Sequence, residues 1–127
     1  MLETFTAFAT LPAADLDRAK AWYREKLGLE PFAEDAGGVW FESGGHPFLV
    51  YPSQFAGTAR STAIGWHVDD IRATVDALRD RGVTFEEYDL PEVKTERGIA
   101  RIGTYLAAWF RDSEGNLLMI DHPGGAA

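Results

Sequence analysis

The chain has no cysteine among its 127 residues. That excludes disulfide staples, thiolate nucleophiles and Cys-rich metal knuckles, and it fits a reducing compartment, so the expected location is the cytoplasm. Histidine is nearly as scarce, with three residues, His46, His67 and His122. Positive charge is also short: twelve Lys and Arg stand against twenty Asp and Glu, a net charge of −8. Such a field repels phosphate backbones and draws in cations, so nucleic acid is not an expected partner. No apolar run is long enough to cross a bilayer, and no membrane partner is expected. The opening Met1-Leu2-Glu3-Thr4-Phe5-Thr6 lacks the basic-then-apolar order of a signal peptide. No Ser-His-Asp set is evident either. Gly37-Gly38 and Gly44-Gly45 read as turn glycines rather than phosphate-binding loops.

What the chain does have is a repeat. Asp15-Leu16-Asp17-Arg18-Ala19-Lys20-Ala21-Trp22-Tyr23 has a partner in Asp70-Ile71-Arg72-Ala73-Thr74-Val75-Asp76-Ala77-Leu78, 55 positions later. Each copy predicts a strand, an Asp-capped helix and a glycine stop (Gly28, Gly82), followed by further strands. Leu16, Ala19, Tyr23 and Leu27 form one apolar stripe, and Ile71, Val75 and Leu78 the other. Residues 5–12 predict the first strand, with Pro12 ending its pairing. Val39–Glu42 and Phe48–Tyr51 predict a hairpin about Gly44-Gly45. Ala63–Val68, Val83–Phe85, Tyr105–Phe110 and Leu117–Ile120 predict strands of the second copy. Residues 89–103 read as a long irregular loop, mobile or a lid, and Pro123–Ala127 as a frayed tail.

The predicted fold class is α+β: one domain over 1–127, made of two βαβββ modules. Module 1 runs from about 4 to 52, a polar linker from about 53 to 61, and module 2 from about 62 to 122. Together they predict a curved mixed sheet shaped as a cup, with the helices outside.

Three stretches carry a family likeness. They are Leu11–Tyr23 with Leu27-Gly28, then His67-Val68-Asp69-Asp70-Ile71, then Phe110-Arg111-Asp112-Ser113-Glu114-Gly115-Asn116-Leu117-Leu118. The last is similar to a Phe-x-Asp-Pro-x-Gly-Asn signature, with Ser113 in place of proline. In this order within a repeat they resemble the vicinal oxygen chelate superfamily, which includes glyoxalase I, extradiol dioxygenases and bleomycin-resistance proteins. The resemblance implies one divalent metal in the cup, held by His, Gln or Glu from each module. Counted from Asp15, Asp70 and Asn116, the ligand positions fall on Phe8, Leu49, Ala63 and Met119. None of these side chains ligates such a metal, so no metal and no cofactor are expected.

With those four facing inward the cup is apolar. Trp40, opposite Leu49, shares its face, as does Tyr51; in the second module Tyr105 and Trp109 lie on one common face, which the sequence leaves open, and both are candidates for lining the ligand. Aromatic walls suit flat or cationic ligands. His67 and Asp121 share parity with Ala63 and Met119 and are the two candidates for catalysis. Glu42 and Glu86 are further polar candidates for orienting a ligand. The likeness is nearest to the bleomycin-resistance branch, and implies a homodimer that sequesters a small aromatic or cationic drug-like molecule. The alternative is a lyase, isomerase or dioxygenase with a divergent metal site, or with a His/Asp general base.

Overall fold

A computed structural model describes residues 1–122. Its elements are β1 (Ala9–Ala13), α1 (Leu16–Leu27), β2 (Pro31–Asp35), β3 (Gly38–Ser43), β4 (His46–Pro52), β5 (Thr62–His67), α2 (Ile71–Asp80), β6 (Thr95–Glu96), β7 (Ile99–Ile102), β8 (Tyr105–Arg111) and β9 (Leu117–His122). Each helix starts where its sequence places a cap. Asp15 accepts the backbone N–H of Arg18 at 3.0 Å, and Asp70 that of Ala73 at 3.1 Å. Gly28 then ends α1 in the left-handed conformation.

The strands form two mixed sheets, ordered β1-β4-β3-β2 and β5-β9-β8-β7-β6. In each, the first strand runs parallel to the last, and the remaining pairs are antiparallel. The registers repeat as well: Thr10 lies opposite Leu49, and Gly65 opposite Met119. Thr10 and Gly65 keep the 55-residue spacing, whereas Leu49 and Met119 are 70 apart. The extra length lies between α2 and β7. There the expected strand Val83–Phe85 is reduced to one bridge, Phe85 to Phe110.

The two modules form the expected cup with the helices outside, built from two mixed sheets whose inner edges, β1 and β5, lie side by side without a shared ladder. Two further expectations need correcting. Pro12 does not end the first strand, which instead begins at Ala9 and carries Pro12 opposite Tyr51. A proline is tolerated there because β1 is an edge strand. Residues 89–103 are not a bare loop, since they supply β6 and β7.

Period-2 alternation sorts the side chains between two faces. Toward the helices point Leu11, Phe41, Phe48, Val50, Leu106, Phe110, Leu118 and Ile120, all in the main core with Tyr23 and Val75. Tyr23 and Phe48 each stack on Phe41, with ring centroids 5.3 and 5.4 Å apart, and are tilted against each other at 5.9 Å. The opposite face of the second sheet holds a smaller cluster of Ala100, Ala107, Trp109 and Leu117, against which Tyr88, Val93 and Met119 pack. Among the described residues no helix is long and apolar enough to cross a membrane.

Candidate functional site

The concave face of the first sheet is open. Gly44 and Gly45, both at positive φ, turn β3 into β4 and set Trp40 opposite Leu49. Tyr51 follows two residues later on the same face. Phe8, just ahead of β1, is half exposed and meets the Trp40 ring at a centroid distance of 4.8 Å, edge to face. Phe8 also lines a cleft of about 550 Å³ with His46, Ile64, Gly65, Trp66 and His67; it lies at the junction of the two sheets, reaches the core-side Phe48 and Trp66, and does not include Trp40, Leu49 or Met119. That volume lies within the range of small-molecule sites.

The second sheet is more covered. Trp109 lies opposite Met119 on the face that Tyr105 shares, which settles the face of this pair. It is buried rather than open, however: the Tyr88 ring packs edge-on at 5.6 Å, and the indole N–H donates to Thr62 Oγ1 at 3.1 Å. Tyr105, at the other end of β8, is exposed. Ala63 is exposed on β5, and Met119 reaches over Gly65, where a Cβ would stand 2.9 Å from its Cε.

His67 and Asp121 do come together. They are register partners, with His67 Nδ1 2.6 Å from an Asp121 carboxylate oxygen. The imidazole is largely exposed and the carboxylate largely buried. This geometry fixes the ring and directs Nε2 away from the carboxylate. His122 bonds the Val68 carbonyl at 2.9 Å, and His46 is exposed at the hairpin. Glu86 accepts from Arg111 Nε at 2.9 Å, so its carboxylate is engaged in an ion pair. Glu42 is exposed beside Trp40 on β3.

The donor set does not fit a divalent metal at the projected positions. Phe8, Leu49 and Ala63 offer only carbon, and Met119 a thioether. Among the described residues no three of His, Cys, Asp or Glu are grouped to hold a metal ion.

A family model for the glyoxalase/bleomycin resistance protein/dioxygenase superfamily matches residues 6–120. The chain belongs to that superfamily. No curated protein sequence matches it. Solved structures of the superfamily do. A glyoxalase family protein from Enterococcus faecalis is 17% identical with a TM-score of 0.72, covering 96% of this chain and 100% of its own. Lactoylglutathione lyase from Agrobacterium tumefaciens is 23% identical with a TM-score of 0.63, covering 95% and 96%. A fosfomycin resistance protein from Listeria monocytogenes, in a Mn(II) complex, is 16% identical with a TM-score of 0.66, covering 92% and 88%. At these identities the likeness is one of fold.

The third stretch of the superfamily likeness works as a latch between modules. Asp112, buried at the end of β8, accepts Tyr23 Oη–H at 2.6 Å, the backbone N–H of Glu114 at 2.8 Å, and the backbone and side-chain N–H groups of Asn116 at 2.9 Å. Asn116 Nδ2 also donates to the Pro12 carbonyl at 2.9 Å. Glu114 accepts the backbone N–H groups of Ala14 and Asp15, both at 2.9 Å, at the start of α1. Arg18 completes a fork on the same carboxylate at 2.8 and 3.0 Å. Burial would raise the Glu114 pKa, yet the bonds from Arg18, Asp15 and Ser113 prevail and hold it at about 2. Burial, and then the Asp112 charge, raise the Tyr23 hydroxyl well above its ordinary range.

The sequence reading does not include Thr62 and Tyr88, which cover Trp109, or the contact of Trp66 with Ser43 between the modules. Trp66 points to the core side, yet its indole N–H donates to Ser43 Oγ at 2.9 Å across the module boundary. Period-2 parity places Trp66 away from the cup but cannot reveal a contact between modules. Tyr88 lies in the inserted segment, which has no counterpart in the first copy.

Proposed function

We propose that this superfamily member is a metal-independent small-molecule binding protein whose concave face holds a flat aromatic or cationic ligand. The observation that carries the reading is what occupies the projected ligand positions: Phe8, Leu49, Ala63 and Met119 offer no hard donor. In their place stands the open Phe8–Trp40 pair. Stacking and cation–π contacts of about 0.5–2 kcal/mol each would hold a cation there. The net charge of −8 would raise its local concentration.

Ethidium, a flat aromatic cation, is a suitable first probe. Trp40→Ala is expected to weaken its binding about tenfold, while Phe55→Ala, which removes an exposed aromatic outside the strands, leaves it within twofold. Equal affinity in Trp40→Ala and the parent chain would overturn the placement.

A second reading rests on the His67–Asp121 pair at 2.6 Å, which has the geometry of an oriented general base. It requires turnover of a substrate bearing an acidic proton. His67→Asn would then lower the rate at least about a hundredfold with the fold intact. An unchanged rate would remove it.

A further inference from the structure

The unpaired cations of this acidic chain gather in one place. Among the described residues, Arg60, Arg72, Lys94, Arg97 and Arg101 are the basic side chains with neither an ion pair nor a hydrogen bond; the others are engaged by carboxylates or backbone carbonyls. Four of these five, all but Arg60, line a pocket of about 340 Å³ between α2 and the β6–β7 hairpin. Its floor includes the buried Ile99 and Leu106, and one carboxylate, Glu96, stands on its wall. Arg101 lies opposite Leu106, whose side chain is in the main core, so the pocket is on the helix side of the second sheet, away from the concave face.

Two local features favour a built site over chance. Arg72 occupies the first turn of α2, where the helix dipole disfavours a cation. The equivalent residue of α1 is Asp17, the charge that the dipole favours. Arg97 has a φ of 54°, and with Gly98 at 81° it forms the two-residue turn between β6 and β7. A side-chain-bearing residue is disfavoured in that conformation, and Asn is the usual choice at such a turn. The turn is tied down nonetheless. Arg79 Nη2 donates to the Arg97 carbonyl at 3.0 Å, and the Gly98 N–H donates to the Glu87 carboxylate at 3.0 Å.

We propose that this pocket is a second binding site, separate from the cup, for a small multiply charged anion of the diphosphate kind. Four cations facing one carboxylate repel one another when the pocket is empty. A compact anion with several oxygens relieves that repulsion and accepts the forked guanidinium donors. Asp69 and Asp70 lie on the adjoining cleft beside Arg72, so the positive region is bounded and selects a compact anion over an extended one.

Calorimetric titration with pyrophosphate at low ionic strength tests the site. The expected result is saturable binding with one site per chain. Arg72→Gln and Arg101→Gln should each weaken it about fivefold, and the double variant at least tenfold. Arg60→Gln, which removes the same charge elsewhere, should leave it within twofold. Since Arg72 opposes the helix dipole, Arg72→Gln should unfold at the same or a higher temperature, which separates lost binding from lost folding. Absence of saturable binding, or an equal loss in Arg60→Gln, would overturn the proposal.

Discussion

Asp112→Ala is expected to lower the unfolding free energy by about 3–5 kcal/mol, a large share of the 5–15 typical of a domain. Alanine leaves the buried Tyr23 hydroxyl and the backbone N–H groups of Glu114 and Asn116 without their acceptor. Unmade bonds at buried sites cost more than made ones contribute. The cost falls on both modules, because Tyr23 belongs to α1 and Asp112 to the end of β8. Tyr23→Phe removes the hydroxyl along with its bond, so about 1–2 kcal/mol is expected. Urea titration with an unchanged slope is the measurement. A change below about 1 kcal/mol for Asp112→Ala would show that the turn is not a latch.

The second large effect concerns Glu114 and acid. Its carboxyl is held at about 2 in the folded protein, below the ordinary 4.5 that it regains on unfolding. A depressed folded value stabilises the protein fully above the unfolded value, and the contribution is lost as pH falls through that window. Between about pH 4.5 and 2, this one group should therefore remove stability as its carboxylate is protonated. The amount expected is about 2–3 kcal/mol, reduced from the full linkage because Arg18 is half exposed. Glu114→Gln should lose a similar amount at neutral pH and show a flatter acid limb. Parallel acid limbs in the two proteins would contradict the assignment.

How much of this was legible in the sequence follows from how local each signal is. The Asp caps, the helix stripes and the Gly44-Gly45 hairpin rest on neighbours in the chain, and all three appear in the structure as read. The placement of Leu49 opposite Trp40 follows from the turn length, whereas parity alone puts His67 and Asp121 on one face and leaves their pairing to the assembled sheet. That β6 and β7 stand where the loop 89–103 is expected, and that Val83–Phe85 keeps only one bridge, was not legible, because the insertion between α2 and β7 has no counterpart to read it against. Pro12 misled for a related reason: a proline ends pairing in an inner strand but not on an edge, and only the assembled sheet shows which strand is the edge. Asp112 and Glu114 read as a turn motif. That they hold α1 depends on contacts across about a hundred residues. The frayed tail expected at Pro123–Ala127 lies outside the described residues.

The same distinction applies to the site. Strand parity identifies which residues face the concave side but not which of them are covered. Trp109 and Phe8 read alike in the sequence. Tyr88 seals the first, and the second stays open beside Trp40. The pocket of unpaired cations was hidden for another reason: Arg72 and Arg101 are far apart in the chain and lie in a strongly acidic composition.

Metal content, measured by mass spectrometry, tests the central claim most directly. The chain would be produced without a chelating tag, supplied with Fe, Mn, Zn, Ni and Co, and then purified. The account predicts less than about a tenth of an equivalent of any of them per chain, with ethidium affinity unchanged by EDTA. Near one equivalent, removed by EDTA together with binding, would contradict it and make a chelate-type enzyme the better reading.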